Sequence, residues 1–143
     1  MREIIPGHLW IANARAANDV RGVLSVGVKA VIDLAIEEPS IVYPRDVVYC
    51  RVPLIDGEGN STTWLNIAVD LAATCIDRRI RLLICCGAGM SRAPAIAAAA
   101  LARVRRIPLE EALAAVVAGA PHDISPGLWA EIEASQSQRA ALS

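Results

Sequence analysis

The stretch RLLICCGAGMSRAPAIAAAAL, residues 81–101, decides how this chain is read. An apolar run over 81–86 ends in two adjacent cysteines. A loop with two glycines follows, and Ala93-Pro94 opens an alanine-rich segment. A short apolar run bounded by glycine predicts a buried strand. Proline near a helix start and a run of alanine, the strongest helix former, predict a helix. A strand joined to a helix by so tight a loop gathers the loop N–H groups and the positive helix end into one concavity. Such a nest favours a bound anion.

Outward from that unit, apolar runs and two-residue alternation predict further strands at 8–13, 29–35 and 47–54. Helical patterns fall between and after them, at 16–27, 61–79, 93–106, 108–120 and 125–142. Segment 61–79 opens on Ser and Thr, good caps, and closes on arginines that suit a helix C-terminus. Strands alternating with helices predict an α/β fold: a mostly parallel central sheet of about four or five strands, flanked by helices. No repeat, linker or low-complexity segment divides the chain, so one domain over 1–143 is expected. The alanines of 95–102 are expected to lie close against the sheet. Trp10, Trp64 and Trp129 are read as core or half-buried packing residues.

Bulk properties narrow the function. The 143 residues suffice for one sizeable core, and a formal net charge of −1 speaks against a nucleic-acid or membrane-surface binder. The arginines at 78, 79, 81, 103, 105 and 106 are read as helix C-terminal charges and not as a nucleic-acid patch. No run approaches the roughly 20 apolar residues of a membrane span, and the N-terminus has no signal-peptide core. A cytoplasmic protein with reduced thiols is therefore expected. Cys50, Cys75, Cys85 and Cys86 form no CxxC pair, and His8 and His122 are far apart in sequence, so no metal site is expected.

The opening stretch also carries chemistry. A cysteine that attacks phosphate monoesters needs an ionised thiol, donors that cradle the phosphate and a cation for the charge growing on its oxygens. The nest supplies the first two, because thiol pKa falls at a helix N-terminus. An arginine at the loop's end supplies the third, as a planar fork for two phosphate oxygens. Cys86-Gly87-Ala88-Gly89-Met90-Ser91-Arg92 has that layout. Spacing alone is weak, since four cysteines and thirteen arginines give about 0.4 such pairs by chance in this length. Cys75 to Arg81 shows the same spacing, but it lacks glycine and starts inside a predicted helix. Cys75 is read as a packing residue. Only Cys86 stands six positions before an arginine, and neighbouring strand side chains point to opposite faces, so Cys85 is expected to face into packing.

Loss of an alkoxide or phenoxide also requires a proton. VPLIDGEGNS (52–61) offers Asp56, in a glycine-containing loop at the C-terminal end of a predicted strand, with Glu58 as its competitor. Loops at that end of a parallel sheet face a common crevice. Taken by itself, DGEGN reads as a plain surface turn; the Cys86 loop is what gives Asp56 a role.

Over nearly its whole length the chain resembles the cysteine-dependent dual-specificity phosphatases of the tyrosine phosphatase superfamily. IIPGHLWIANARAAND resembles their opening strand and first helix, GVKAVIDLA their second strand, and VYCRVPLIDGEGN their strand and general-acid loop. LLICCGAGMSRAPAIAAAAL resembles their His-Cys-x5-Arg signature, and PLEEALAAVVAGAPHDISPGLWAEI their closing helices. Low-molecular-weight tyrosine phosphatases carry the loop near the N-terminus, so its position here argues against them.

The resemblance implies a phosphomonoester hydrolase, a protein-tyrosine and in addition a serine/threonine phosphatase. Cys86 would form a phosphocysteine, Arg92 would clamp the phosphate, and the N–H groups of Gly87, Ala88, Gly89, Met90, Ser91 and Arg92 would cradle it. Asp56 would act as acid and then as base, without cofactor or metal. Expected partners are phosphorylated proteins or small phosphomonoesters, for a chain acting as a monomer.

Two positions depart from the family pattern. Cys85 stands where its members have His, and Ala93 where they have Ser or Thr. Loss of the hydroxyl at position 93 predicts slower breakdown of the phosphoenzyme. The competing readings are a phosphate-binding module without catalysis, and redox control in which Cys85 or Cys50 captures oxidised Cys86.

Overall fold

The structure is a computed structural model and describes residues 1–142. Five strands, β1 (Arg2–Ile5), β2 (Leu9–Asn13), β3 (Ala30–Ala35), β4 (Val48–Leu54) and β5 (Leu82–Cys86), form one sheet in the order β1-β2-β5-β3-β4. β2, β5, β3 and β4 run parallel, and β1 alone is antiparallel, folded back on β2. The helices are α1 (Ala14–Asn18), α2 (Val20–Ser25), α3 (Thr62–Asp77), α4 (Arg92–Arg105), α5 (Leu109–Val117) and α6 (Pro126–Leu142). None is long and apolar enough to cross a membrane, among the described residues.

Strand alternation divides the core in two. Leu9, Ile11, Ile32, Leu34, Leu54, Leu82, Ile84 and Cys86 face α3–α6. Trp10, Ala12, Val31, Leu83 and Cys85 face the other way, toward α1, α2 and the segment around Ile41, Tyr43 and Val47. α4 is the central helix, with every residue from Arg92 to Leu101 buried. Alanine makes this possible, because small side chains let the helix axis approach the sheet while keeping high helix propensity. Pro94 sits in the first turn, where a missing N–H costs nothing. α3 buries Leu65, Ala68, Val69, Ala72 and Ala73, a single helical stripe.

Three sequence expectations need correction. The helix expected over 16–27 is two short helices, because the Asp19 side chain accepts from Gly22 N–H and caps a new start. β1 was not anticipated. It is four residues long, only partly buried, and joined to β2 through a Pro6-Gly7 turn with Gly7 at φ +72°. Trp64 is 46% exposed, since it lies beside the α3 stripe and not on it. Trp10 is buried and Trp129 half-buried, as expected.

Candidate active site

Because β2, β3, β4 and β5 are parallel, the segments following all four lie at one edge of the sheet. Residues 36–40 follow β3, 55–60 follow β4 and 87–91 follow β5. Loop 87–91 is pinned on several sides. Ala14 N–H donates to the Gly87 carbonyl at 3.0 Å, and Asp123 N–H to the Met90 carbonyl at 2.9 Å. Gly89 has φ +72°, and a Cβ there would stand 2.9 Å from Asn13 N and 3.0 Å from the Ala12 carbonyl carbon. Only glycine fits. A Cβ on Gly87 would meet the Glu37 carboxylate at 2.7 Å and Arg92 Nη2 at 3.1 Å. Gly89 therefore admits the close approach of the β2 end, and Gly87 that of the Glu37–Arg92 pair.

Cys86 closes β5, 2% exposed, with its sulfur accepting from the Ala93 backbone N–H at 3.4 Å. Ala93 is the second residue of α4, so a thiolate here takes a first-turn donor that the helix itself leaves unused. Cys85 is 1% exposed on the opposite face. Burial pushes its thiol pKa up, and the neighbouring Asp33 and Cys86 push it further. Asp33, buried on β3, accepts from Tyr49 Oη at 2.6 Å and from Ala35 N–H at 3.1 Å. Burial and this bond raise the Tyr49 phenol to about 12. The two neighbouring cysteines thus face opposite surroundings, as strand alternation predicts.

Arg92, 4% exposed, is held by a residue that sequence reasoning passed over. Glu37, in the loop after β3, takes both terminal nitrogens, with Nη1 donating to Oε2 at 2.7 Å and Nη2 to Oε1. Arg92 Nη1 also donates to the Leu54 carbonyl at 2.9 Å. A guanidinium has five N–H groups. These contacts use both on Nη1 and one on Nη2. The remaining two, on Nε and Nη2, lie side by side on one edge, and Nε is buried without a partner among the described residues. That edge is a free fork for two oxygens of an oxyanion. The hydrogen bond from Arg92 holds the Glu37 carboxyl below its usual pKa, and the same bond raises that of Arg92. Glu37 is itself placed by Arg51, whose Nη2 donates to the carbonyls of Ala35, Ile36 and Glu38. No local pattern signals the Glu37–Arg92 pair, which joins residues 55 apart.

Asp56 meets the loop through Ser91. Ser91 Oγ donates to Asp56 Oδ1 at 2.6 Å and accepts from Ser125 N–H at 3.0 Å. Hence Ser91, although the N-cap of α4, makes no side-chain cap bond to that helix. Among the described residues Glu58 makes no hydrogen bond or ion pair with this loop, and it lies against Gly127 of α6. The structure therefore brings Cys86, residues 87–91, Arg92 and Asp56 together and leaves Glu58 apart.

Cys50 is badly placed to capture Cys86. It pairs with Ile32, which pairs with Ile84, so two strand spacings and two residues separate the cysteines. That is on the order of 12 Å, well beyond the roughly 7 Å Cα limit of a disulfide. Cys75 is half-buried against the core, as expected. A cavity of about 770 Å³ lies at the far end of α4, lined by Ala99, Arg103, Ile107 and α6 residues, and contains no site residue.

Comparison with known proteins agrees with this fold. A family model described as polymorphic toxin system, DSP-PTPase phosphatase, matches residues 8–106. Human DUSP28 superimposes with a TM-score of 0.85 at 23% identity, covering 100% of both chains. A mouse protein described as a putative dual specificity phosphatase complexed with zinc tungstate gives 0.83 at 25% identity, over 98% of this chain and 88% of that one. A human tyrosine phosphatase-like serine/threonine/tyrosine-interacting protein gives 0.79 at 17% identity, over 100% and 98%. No curated protein matches the sequence.

Proposed function

The chain belongs to the DSP-PTPase phosphatase family, a dual-specificity phosphatase group, and on that premise we propose that it hydrolyses phosphotyrosine, and also phosphoserine and phosphothreonine, through a phosphocysteine on Cys86. The observation that carries this reading is the buried, unpartnered Nε of Arg92, on the edge of the guanidinium left free by Glu37. A buried donor without a partner is costly. A phosphate oxygen would satisfy it.

In the proposed reaction Cys86 Sγ attacks phosphorus in line. The S–P bond forms as the P–O bond to the leaving group breaks, and the released electron pair takes a proton from Asp56. The free edge of Arg92 and the loop N–H groups of 87–92 hold the three equatorial oxygens. Asp56, now a carboxylate, then takes a proton from water as that water attacks phosphorus. The S–P bond breaks, the pair returns to sulfur, and inorganic phosphate leaves. The Ala93 N–H remains to receive the departing thiolate, with no hydroxyl beside it. The loop interior Gly-Ala-Gly-Met-Ser carries no lysine, which favours monophosphates over polyphosphorylated lipids.

Ala93 favours a second reading, a module that binds phosphate and turns over little. Rapid mixing with p-nitrophenyl phosphate separates the two. A stoichiometric burst of nitrophenolate followed by slow turnover supports the enzyme. Vanadate or phosphate binding without any burst supports the module.

A further inference from the structure

Asp56 sits in a loop with no regular secondary structure and two glycines, at 57 and 59, so its position must be imposed from outside. We propose that Glu131 of α6 is a positioning residue for the general acid and holds the 55–60 loop closed over the cradle before substrate arrives. This rests on the reading of Asp56 as the acid.

The contacts form a two-stage clamp. Glu131 Oε2 accepts from Gly59 N–H at 2.8 Å, and Oε1 accepts from Asn60 N–H at 3.1 Å and Asn60 Nδ2 at 3.2 Å. The Asn60 carboxamide then ties the loop to itself. Its Oδ1 accepts from Ile55 N–H at 2.7 Å, and its Nδ2 donates to the carbonyls of Ile55 and Gly57, both at 3.0 Å. Asp56 lies between those two residues. Its outward end is fixed by Ser91 Oγ, which Ser125, just before α6, also holds. The first turns of α6 therefore grip the acid loop and the cradle together.

Glu131 serves the loop and not the substrate. Both of its oxygens are engaged by three loop donors, leaving it no role as an alternative acid. Burial pushes its pKa up, but the bonds from Gly59, Asn60 and the Asn60 side chain outweigh it and bring the value below the usual one. The clamp is thus anionic under ordinary conditions, and charge-assisted bonds are the stronger kind. Cutting it frees the loop, so Asp56 is misplaced more often while Cys86 and Arg92 stay where they are. A misplacement of about 1 Å can cost on the order of 10²-fold in rate.

The test is leaving-group dependence. p-Nitrophenolate leaves with little help from an acid, whereas phenolate, like tyrosine, needs a proton. In E131A, kcat/KM for phenyl phosphate is expected to fall about tenfold. For p-nitrophenyl phosphate it stays within about twofold, vanadate inhibition is unchanged, and E131Q lies between E131A and wild type. D56N, measured in parallel, shows the same selectivity to a greater degree. If D56N is selective and E131A is not, the clamp is overturned. Equal loss on both substrates with weakened vanadate binding in E131Q and E131A makes Glu131 merely structural and overturns it as well. Absence of selectivity in D56N overturns the acid assignment beneath it.

Discussion

Cys85 and Cys86 are neighbours in sequence, nearly equal in burial at 1% and 2%, and opposite in surroundings. Cys86 points toward a helix N-terminus and receives the Ala93 N–H, with the Arg92 guanidinium close by. Cys85 points into the other half of the core, beside Asp33, where burial and a carboxylate both oppose ionisation. Burial alone therefore does not distinguish the two thiols. Their neighbours do, the Ala93 N–H for Cys86 and Asp33 for Cys85, and strand alternation delivers one cysteine to each. Glu37 sharpens the contrast, because it engages one edge of Arg92 and leaves Nε, on the other edge, without a partner among the described residues.

This contrast can be broken by substitution. C86S is expected to lower kcat for p-nitrophenyl phosphate by at least about 10³-fold, since the nucleophile itself is lost. R92K follows with about a 10²-fold loss in kcat/KM, because an ammonium replaces a two-pronged fork with a point charge. A93S restores a hydroxyl beside the departing thiolate. It should raise steady-state kcat a few-fold, by about one charge-assisted hydrogen bond at most, and shorten the phosphoenzyme lifetime in a rapid-quench experiment.

The Glu37–Arg92 pair gives a smaller, pH-dependent effect. Glu37 is held below its ordinary 4.5, so the pair stabilises the fold fully above that value. That stability is lost as pH falls through the lowered one. The Tm advantage of wild type over E37Q should be level above about pH 5.5 and narrow below the ordinary value. C85A is the smallest case for catalysis. Its kcat/KM should stay within about twofold, even though a buried side chain is trimmed at a cost of roughly 1–2 kcal/mol in urea unfolding.

Much of this was legible in the sequence because it is local. Four of the five strands, the five-residue spacing from Cys86 to Arg92 and the opposite facing of Cys85 all follow from short-range periodicity and glycine placement. The nearness of Asp56 to the Cys86 loop was legible because parallel strands end at one edge. What escaped was either short or distant. β1 is four half-exposed residues, too few for a periodic signal. The break at Asp19 is a cap inside what reads as one helix. Glu37 and Arg51 act through contacts to residues that no spacing rule connects, and Glu131 holds residues more than 70 positions away. Positioning groups of this kind are set by the assembled fold, whereas the groups they position are set by the loop.

The most direct test is to trap the covalent intermediate. Wild-type protein mixed rapidly with p-nitrophenyl phosphate, quenched in acid and mapped by mass spectrometry should show about one phosphate per chain. That phosphate should sit on Cys86, formed at the rate of the nitrophenolate burst, with none on Cys85. A burst with phosphate on Cys85, or vanadate binding with no burst and no phosphoenzyme, would contradict the account.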